Sequence, residues 1–529
     1  MSLQITVAHP LFVCVILSSK GDFLVLQNQT RLTIKARFIR YYINKKDGNV
    51  KRLYHFIILL LAVCGSLMTS CNDDDSFSTS TANRLSFSVD TLRLDTAFTN
   101  MPTPQSNFWI YNRSGDGIRI AKAMLEHGNQ SGYQVNIDGI FLGKEMGYQT
   151  SEVEVRKGDS VRVYVKLLAA RNGKSNAQPI SDNLILRLES GVEQRLNISG
   201  FAWDANIMKD VRISRDSTLD ASSTPIVITG GITIDSLATL TIAPGSNIYF
   251  QSGAGMNVYG RLKSDGTAEK NITLRGARLD KMFPYLPYDR VSGQWEGLHF
   301  MESSYDNIIK YTDIHSTYNG IIIDSSNVDR RKLTLESSTV HNCQGYGVLS
   351  QNSNIDILNS QISNTLYDCL NVMGGKADIN GCTLAQFYPF DSNRGYALAF
   401  SAEKNKVSIN CHNSIITGYA DDMLLGSMGK DSADFVYNFE DCVIRTPRIT
   451  TADSVKFARV IFEDVKDTAS CGKHNFKTID EDNLYYDFHL SPKSIAIGKG
   501  NVKTLPATDR DGLRRENLSI GAFDKKEKQ

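Results

Sequence analysis

From Asn307 onward the chain repeats itself. LESSTVHN from Leu335, ILNSQISN from Ile357, INGCTLAQ from Ile379, INCHNSIITG from Ile409 and FEDCVIRT from Phe439 each open on an apolar anchor and run into turn residues. The first two anchor intervals are 22 residues and the next two 30. A short fixed period with insertions confined to particular turns defines a solenoid, because one coil cannot bury its own inward face and stacked coils share a core. Three residues after the anchors stand Ser338, Ser360, Cys382, His412 and Cys442. Four of the five are small, as an inward turn column requires, and His412 is the exception. On this register Cys382 and Cys442 lie two coils apart, roughly 9.6 Å at ~4.8 Å per strand. That exceeds the ~7 Å Cα reach of a disulfide, so both are expected to be unpaired and buried. Asn359, Asn364 and Asn380 are expected in turn ladders whose amides bond from coil to coil.

Upstream, in 239–300, short β-rich runs at 240–242, 247–250, 256–259, 272–274 and 298–300 alternate with Gly, Pro, Asn, Asp and Ser, and none is long enough for a helix. The series LTIAPGSNIYF, VYGRLKSDGT, NITL and QWEGLHF resembles the opening coils of bacterial right-handed parallel β-helix proteins. The tail DRDGLRRENLSIGAF is similar to the closing segment of many of them, through Asp509, Gly512, Arg515, Ile520, Gly521, Ala522 and Phe523. The resemblance implies a β-helix over 206–529. This tail would cap its open edge, since an uncovered β end invites aggregation.

Residues 84–205 alternate with period two: Leu85, Phe87 and Val89; Val161, Val163 and Val165; Leu184, Leu186 and Leu188. Such runs put one face in a core and one in water, as in an antiparallel sandwich. FWIYNRSGDGIRI, VEVRKGDSVRVYVKL and the strands around DNLILRL and RLNISGFAW resemble a Hydin-type immunoglobulin-like domain, which implies a spacer covering the first coils near 225–274. Trp109 and Trp203 are expected to be packing residues. The predicted fold class is therefore all-β, a sandwich followed by a parallel β-helix solenoid.

Residues 50–70 read as an export leader. Lys51 and Arg52 precede an apolar run at 56–63 that is shorter than the ~20 residues a membrane-spanning helix needs. The ending Leu67-Met68-Thr69-Ser70-Cys71 resembles a bacterial lipobox, which implies lipidation of Cys71. Two or three acyl chains anchor stably where one is marginal. Asn72-Asp73-Asp74-Asp75 looks like the acidic signal that places some lipoproteins on the outer face, and 71–83 forms an acidic, Ser/Thr-rich tether. Residues 1–49 read as an over-extended start. The expected localisation is the outer membrane, lipid-anchored and facing outward.

With a net charge of +1, the composition makes no case for nucleic acid or an acidic surface. Nine cysteines without Cys-x-x-Cys spacing give no zinc motif, and an even six in the solenoid permit disulfides. No metal or other cofactor is expected, although scattered aspartates leave Ca2+ open. A parallel β-helix hosts lyases, hydrolases and binding proteins, so fold alone decides nothing. The candidates for catalysis are Asp421, Asp422, Arg394, Asp391 and Tyr388, on the loops of the two lengthened coils. Those for glycan stacking are Trp295, Tyr285 and Tyr288, in the insertion before the regular coils, and Tyr419. The turn Asp329-Arg330-Arg331-Lys332 reads as solvated, and His341 and His412 as turn or core residues. The leading expectation is a monomeric surface protein whose β-helix binds an extended polysaccharide or cell-surface glycan without turning it over. The alternatives are a polysaccharide lyase or glycoside hydrolase, and an adhesive protein with a protein partner.

Overall fold

The computed structural model describes residues 76–525 and the antiparallel pair Ile16–Leu17 and Phe23–Leu24. The leader and Cys71 lie outside the described residues, as does 1–49 apart from that pair. Among the described residues the chain is all-β, broken only by short 3-10 turns.

The period-two runs form a two-sheet sandwich. One sheet is built on Ile118–Leu125, Gln178–Leu188 and Glu193–Trp203, with Thr91–Phe98 added in parallel at its edge. The other centres on Ser106–Asn112, Ser160–Leu167 and Tyr133–Ile137. Ile110, Val135 and Val163 from one sheet share a core with Ile120, Leu184 and Ile198 from the other. Three residues after Trp203 the first solenoid strand, Asn206–Ile213, begins.

The solenoid has three faces, here called A, B and C in the order each coil visits them. Its inward residues stack in register. Face A carries Ile248, Leu274, Ile314, Val340, Ile362, Leu384, Ile416 and Ile444. Face B carries Met256, Leu298, Ile321, Val348, Leu370 and Leu398. Face C carries Ile309, Leu335, Ile357, Ile379, Cys411 and Phe439. All belong to one core of buried residues.

This register corrects the sequence-based one: Ile379 pairs with Cys411, not Ile409. The small column is then Ser338, Ser360, Cys382, Ser414 and Cys442, and His412 drops out of it. The column is a hydrogen-bond ladder. Thr312, Ser338 and Cys382 each donate a backbone N–H to the hydroxyl of Ser338, Ser360 and Ser414 in the following coil, at 3.0–3.1 Å. Cys382 and Cys442 are free and buried, as are Cys343, Cys369, Cys411 and Cys471.

The residue before each small one holds the left-handed conformation that turns face C into face A in two steps. Tyr311, Ser337, Asn359, Asn413 and Asp441 do so with φ between 42 and 54°. The turn asparagines form the expected ladder only in part. Two of the three reach along the stack: Asn364 donates to Asn342 at 3.5 Å and Asn380 accepts from Asn413 at 2.9 Å. Asn359 and Asn380 donate their own amides outward, to the carbonyls of Thr508 and Thr504.

Those partners show what the tail does. It does not cap the open edge; it runs back along the outside of the corner between faces C and A. Asn501 is held by Asn413, Arg515 by Asn359, and Arg510 by Thr339 and Asn271. Ile520, Ala522 and Phe523 then cover the outward residues Ala385, Ile415 and Val443 of face A. At the other end of the same face, Phe98, Trp203 and Ala205 of the sandwich cover Val227 and Tyr249. Lys332 is also corrected. Its stem is buried and its Nζ donates to the Met301 carbonyl, with burial pulling it down to about 8.

The turn and the tail make separable contributions. Alanine in the left-handed region costs about 1–2 kcal/mol, and each lost amide bond about 1 kcal/mol. Asn359→Ala is therefore expected to lower unfolding free energy by about 3 kcal/mol and Asn359→Gly by about 2 kcal/mol in urea titrations. Equal losses would assign the whole effect to the tail bonds.

Candidate functional site

Between Ile272–Gly276 on face A and Leu298–Phe300 on face B the chain inserts residues 277–297, which stand over the outside of face A. The insertion contains a hairpin, Lys281–Phe283 with Leu286–Pro287, and a 3-10 turn, Tyr288–Arg290. A recess lies on each side of it.

The larger recess, about 1060 Å³, separates the insertion from the sandwich and is lined by Arg93, Asp95, Gln105, Gln251, Arg278 and Gln294. Its volume is at the upper end for ligand sites, which favour such domain junctions. Arg278 pairs with Asp280 and lies 3.7 Å over the Tyr288 ring. The Lys281 N–H donates to Asp95, tying insertion to sandwich. At the hairpin Phe283 and Tyr285 are 50% and 48% exposed and stack on each other at 5.8 Å.

The smaller recess, about 350 Å³, separates the insertion from the C-terminal hairpin Phe476–Asp480 and Tyr485–Leu490. Its floor includes His341 and Gln361, and its walls Asp289, Arg290, Asp487 and His489. Arg290 lies over the Tyr485 ring at 4.8 Å and donates to the Asn483 carbonyl, joining the walls. Asp313 contacts His315 Nδ1 and His341 Nε2, each at 3.0 Å, while Asp289 contacts His315 Nε2 at 3.0 Å and also pairs with Arg275. Burial would raise both aspartates, but His315 and His341 with Arg275 outweigh it and hold them well below the usual carboxylate range. Burial likewise opposes the charge on His315, yet Asp313 and Asp289 hold it up at about 9. Across the recess His489 sits between Asp487 and Asp511, at about 8 against its own desolvation.

The expected site residues do not converge. Trp295 is corrected: it is 1% exposed, stacks on Phe250 at 4.1 Å inside the coil and donates to the His315 carbonyl, so it offers no face to a sugar. Tyr285 is exposed on the hairpin and Tyr288 lines the larger recess. Tyr419 packs edge-on against Phe387, and Arg394 lies 4.6 Å over its ring. Tyr388 is buried and bonds to Ser292, and its carbonyl accepts from Arg394. Asp391 and Asp422 accept backbone N–H groups two residues on, and Asp421 pairs with Arg445. The long loops thus bring Arg394, Tyr388 and Tyr419 together. His341, expected in a turn or the core, points outward into the smaller recess.

The residues that sequence reasoning missed share a signal. Asp313-Ile314-His315 and Asp487-Phe488-His489 are both Asp-x-His, and in a strand that spacing puts Asp and His on the same side.

These parallel sheets define a right-handed parallel β-helix, and the family described as "Right handed beta helix region" matches residues 213–384. No curated protein matches the chain. Among solved structures it is similar to a family 123 glycoside hydrolase from Clostridium perfringens, with 7% identity and a TM-score of 0.17 over 26% of this chain and 30% of that one. Dex49A from Penicillium minioluteum shares 11% identity over 79% of each chain, with a TM-score of 0.18. The ASH/PapD-like domain of human CEP192 shares 12% over 24% of this chain and 90% of that one, with a TM-score of 0.16. The chain spans under a third of the first of these, and such scores carry nothing about the site.

The His489 pair has a pH signature. A histidine held up in the folded protein stabilises it fully below its unfolded pKa of about 6.5 and loses that contribution as pH rises through the folded value. With His489 at about 8, flanked by Asp487, Asp511 and Lys477, up to about 2 kcal/mol should be lost across that window. His489→Gln is expected to flatten this part of the stability–pH curve measured by denaturant titration; an unchanged slope would remove His489 from it.

Proposed function

We propose that this protein is a surface lipoprotein that captures an extended glycan between its sandwich and its β-helix. The observation that carries the reading is the insertion hairpin. It presents the stacked pair Phe283 and Tyr285 to solvent beside a recess of about 1060 Å³ lined by charged and amide side chains. The C–H-rich face of a sugar packs on an exposed aromatic ring, while its hydroxyls bond to arginine, aspartate and amide groups of the kind lining this recess. The solenoid axis suits a chain-like ligand.

In the smaller recess the charge states of the carboxylates speak against two-carboxylate hydrolysis. Two-carboxylate hydrolysis needs one acid raised so that it carries a proton. Asp289 and Asp313 are both held ionised by their partners. Asp421 is tied to Arg445 on an exposed loop.

The full-length protein passed over immobilised uronate-containing and neutral glycans is expected to be retained without forming products. Phe283→Ala with Tyr285→Ala should weaken retention by about tenfold, since each lost stacking contact is worth about 0.5–1.5 kcal/mol. Absorbance from unsaturated products, or new reducing ends, would replace this reading with a lyase or a hydrolase.

The anchor rests on the Lys51–Arg52 pair, the apolar run at 56–63 and the Leu67–Cys71 ending. Cys71→Ser is expected to move the protein from the outer-membrane fraction to the soluble one and to abolish labelling by a radioactive fatty acid. Unchanged labelling would place the lipid on another residue.

A further inference from the structure

The Asp313, His315 and His341 cluster lies apart from the proposed glycan recess, on the other side of the insertion. We propose that these three side chains hold a divalent first-row transition-metal ion, with Asp289 orienting His315 from behind.

The ladder places the ligands. His315 and His341 are direct partners on neighbouring parallel strands. Asp313 stands two residues before His315 and so shares its outward side. The two rings stack with centroids 4.8 Å apart. Asp313 Oδ1 is 3.0 Å from both His315 Nδ1 and His341 Nε2, and the three ligand atoms lie within 4.8 Å of one another. Two ligand atoms bound tetrahedrally at about 2.1 Å would be about 3.4 Å apart. Replacing the direct contacts by an ion therefore asks for small side-chain adjustments.

A second feature points the same way. Histidines that bind metals almost always give their other ring N–H to a carboxylate, which fixes the tautomer. His315 Nε2 faces Asp289 at 3.0 Å, which leaves Nδ1 for the ion, and Arg275 fixes Asp289 in turn. His489 is the other Asp-x-His histidine. Like His315 it has carboxylates on opposite ring nitrogens, Asp487 and Asp511, but among the described residues no set of three ligand atoms converges there as at Asp313, His315 and His341.

Two imidazoles and one carboxylate suit zinc and its neighbours better than Ca2+, which takes six to eight oxygens. Three protein ligands leave at least one exchangeable position. His341 lines the smaller recess, so a water or a ligand oxygen can reach that position from solvent.

The test is calorimetric titration of Zn2+ into the full-length protein after chelator treatment and dialysis, repeated with His315→Ala, His341→Ala, Asp313→Asn and His489→Gln. One equivalent is expected to bind to the unaltered protein and to His489→Gln. It should weaken by at least about a hundredfold in the other three, beyond the 10–100-fold seen when a supporting partner is lost. Circular dichroism melts identify any variant that fails to fold, and Asp313→Asn, which keeps the side-chain volume, covers that case. Co2+ should give a visible d–d spectrum that is absent from His341→Ala. Failure of the unaltered protein to bind Zn2+, or the same affinity in a folded His341→Ala, would overturn the proposal and leave His315 as an imidazolium held between two aspartates. Glycan retention is unaffected by either outcome, because it is read on the opposite side of the insertion.

Discussion

The corner between faces C and A sets the register on which everything else depends. From Tyr311 to Cys442 each coil makes that corner in two residues, one left-handed and one small. The small residue's hydroxyl, where present, accepts an N–H from the coil before. A buried N–H without such a partner would cost about 1–3 kcal/mol. A coil that slipped by one residue would also turn its apolar set outward. Long insertions therefore collect at the other corners, and 277–297, which makes both recesses, enters between faces A and B.

Face A shows how a surface is left over by packing. Along one outward column it reads Val227, Tyr249, Arg275, His315, His341, Ser363 and Ala385. The apolar residues at the two ends are covered, by the sandwich on one side and the tail on the other. Over the polar middle the cover is the insertion, whose Asp289 contacts Arg275 and His315, with a gap beside it at His341. The imidazole–carboxylate cluster borders that gap, and the walls of its recess are the insertion and the last hairpin.

The sandwich, the solenoid and the coils from Leu335 to Ile379 were legible in the sequence because their spacing is physical: period two for strands, constant length for coils. The register was lost at Ile409 for the same reason. Ile409 and Cys411 both face inward, so an apolar pattern of period two cannot tell one from the other. The tail was misplaced because its hydrogen-bonding residues look alike whether they close an end or line a side. Trp295 looked like a sugar platform because an aromatic residue in a loop carries no mark of which side it faces. The cluster on face A was invisible as a group, since Asp289, Asp313, His315 and His341 meet only when neighbouring coils stack and an insertion folds over them. Only its Asp-x-His fragment could have been seen beforehand.

Solenoids ordinarily behave as one-dimensional arrays in which each unit feels only its neighbours, so that ends can fray without disturbing the middle. The returning tail removes that independence. Arg510 bonds to Asn271 and Thr339, Arg515 to Asn359, and Asn501 to Asn413 and Asp441, so one short segment spans most of the stack. Opening a coil near the start then strains contacts made by the last residues of the chain. The array gains the cooperativity of a globular domain, and its folding is completed only once the C-terminal segment is available to run back along the corner.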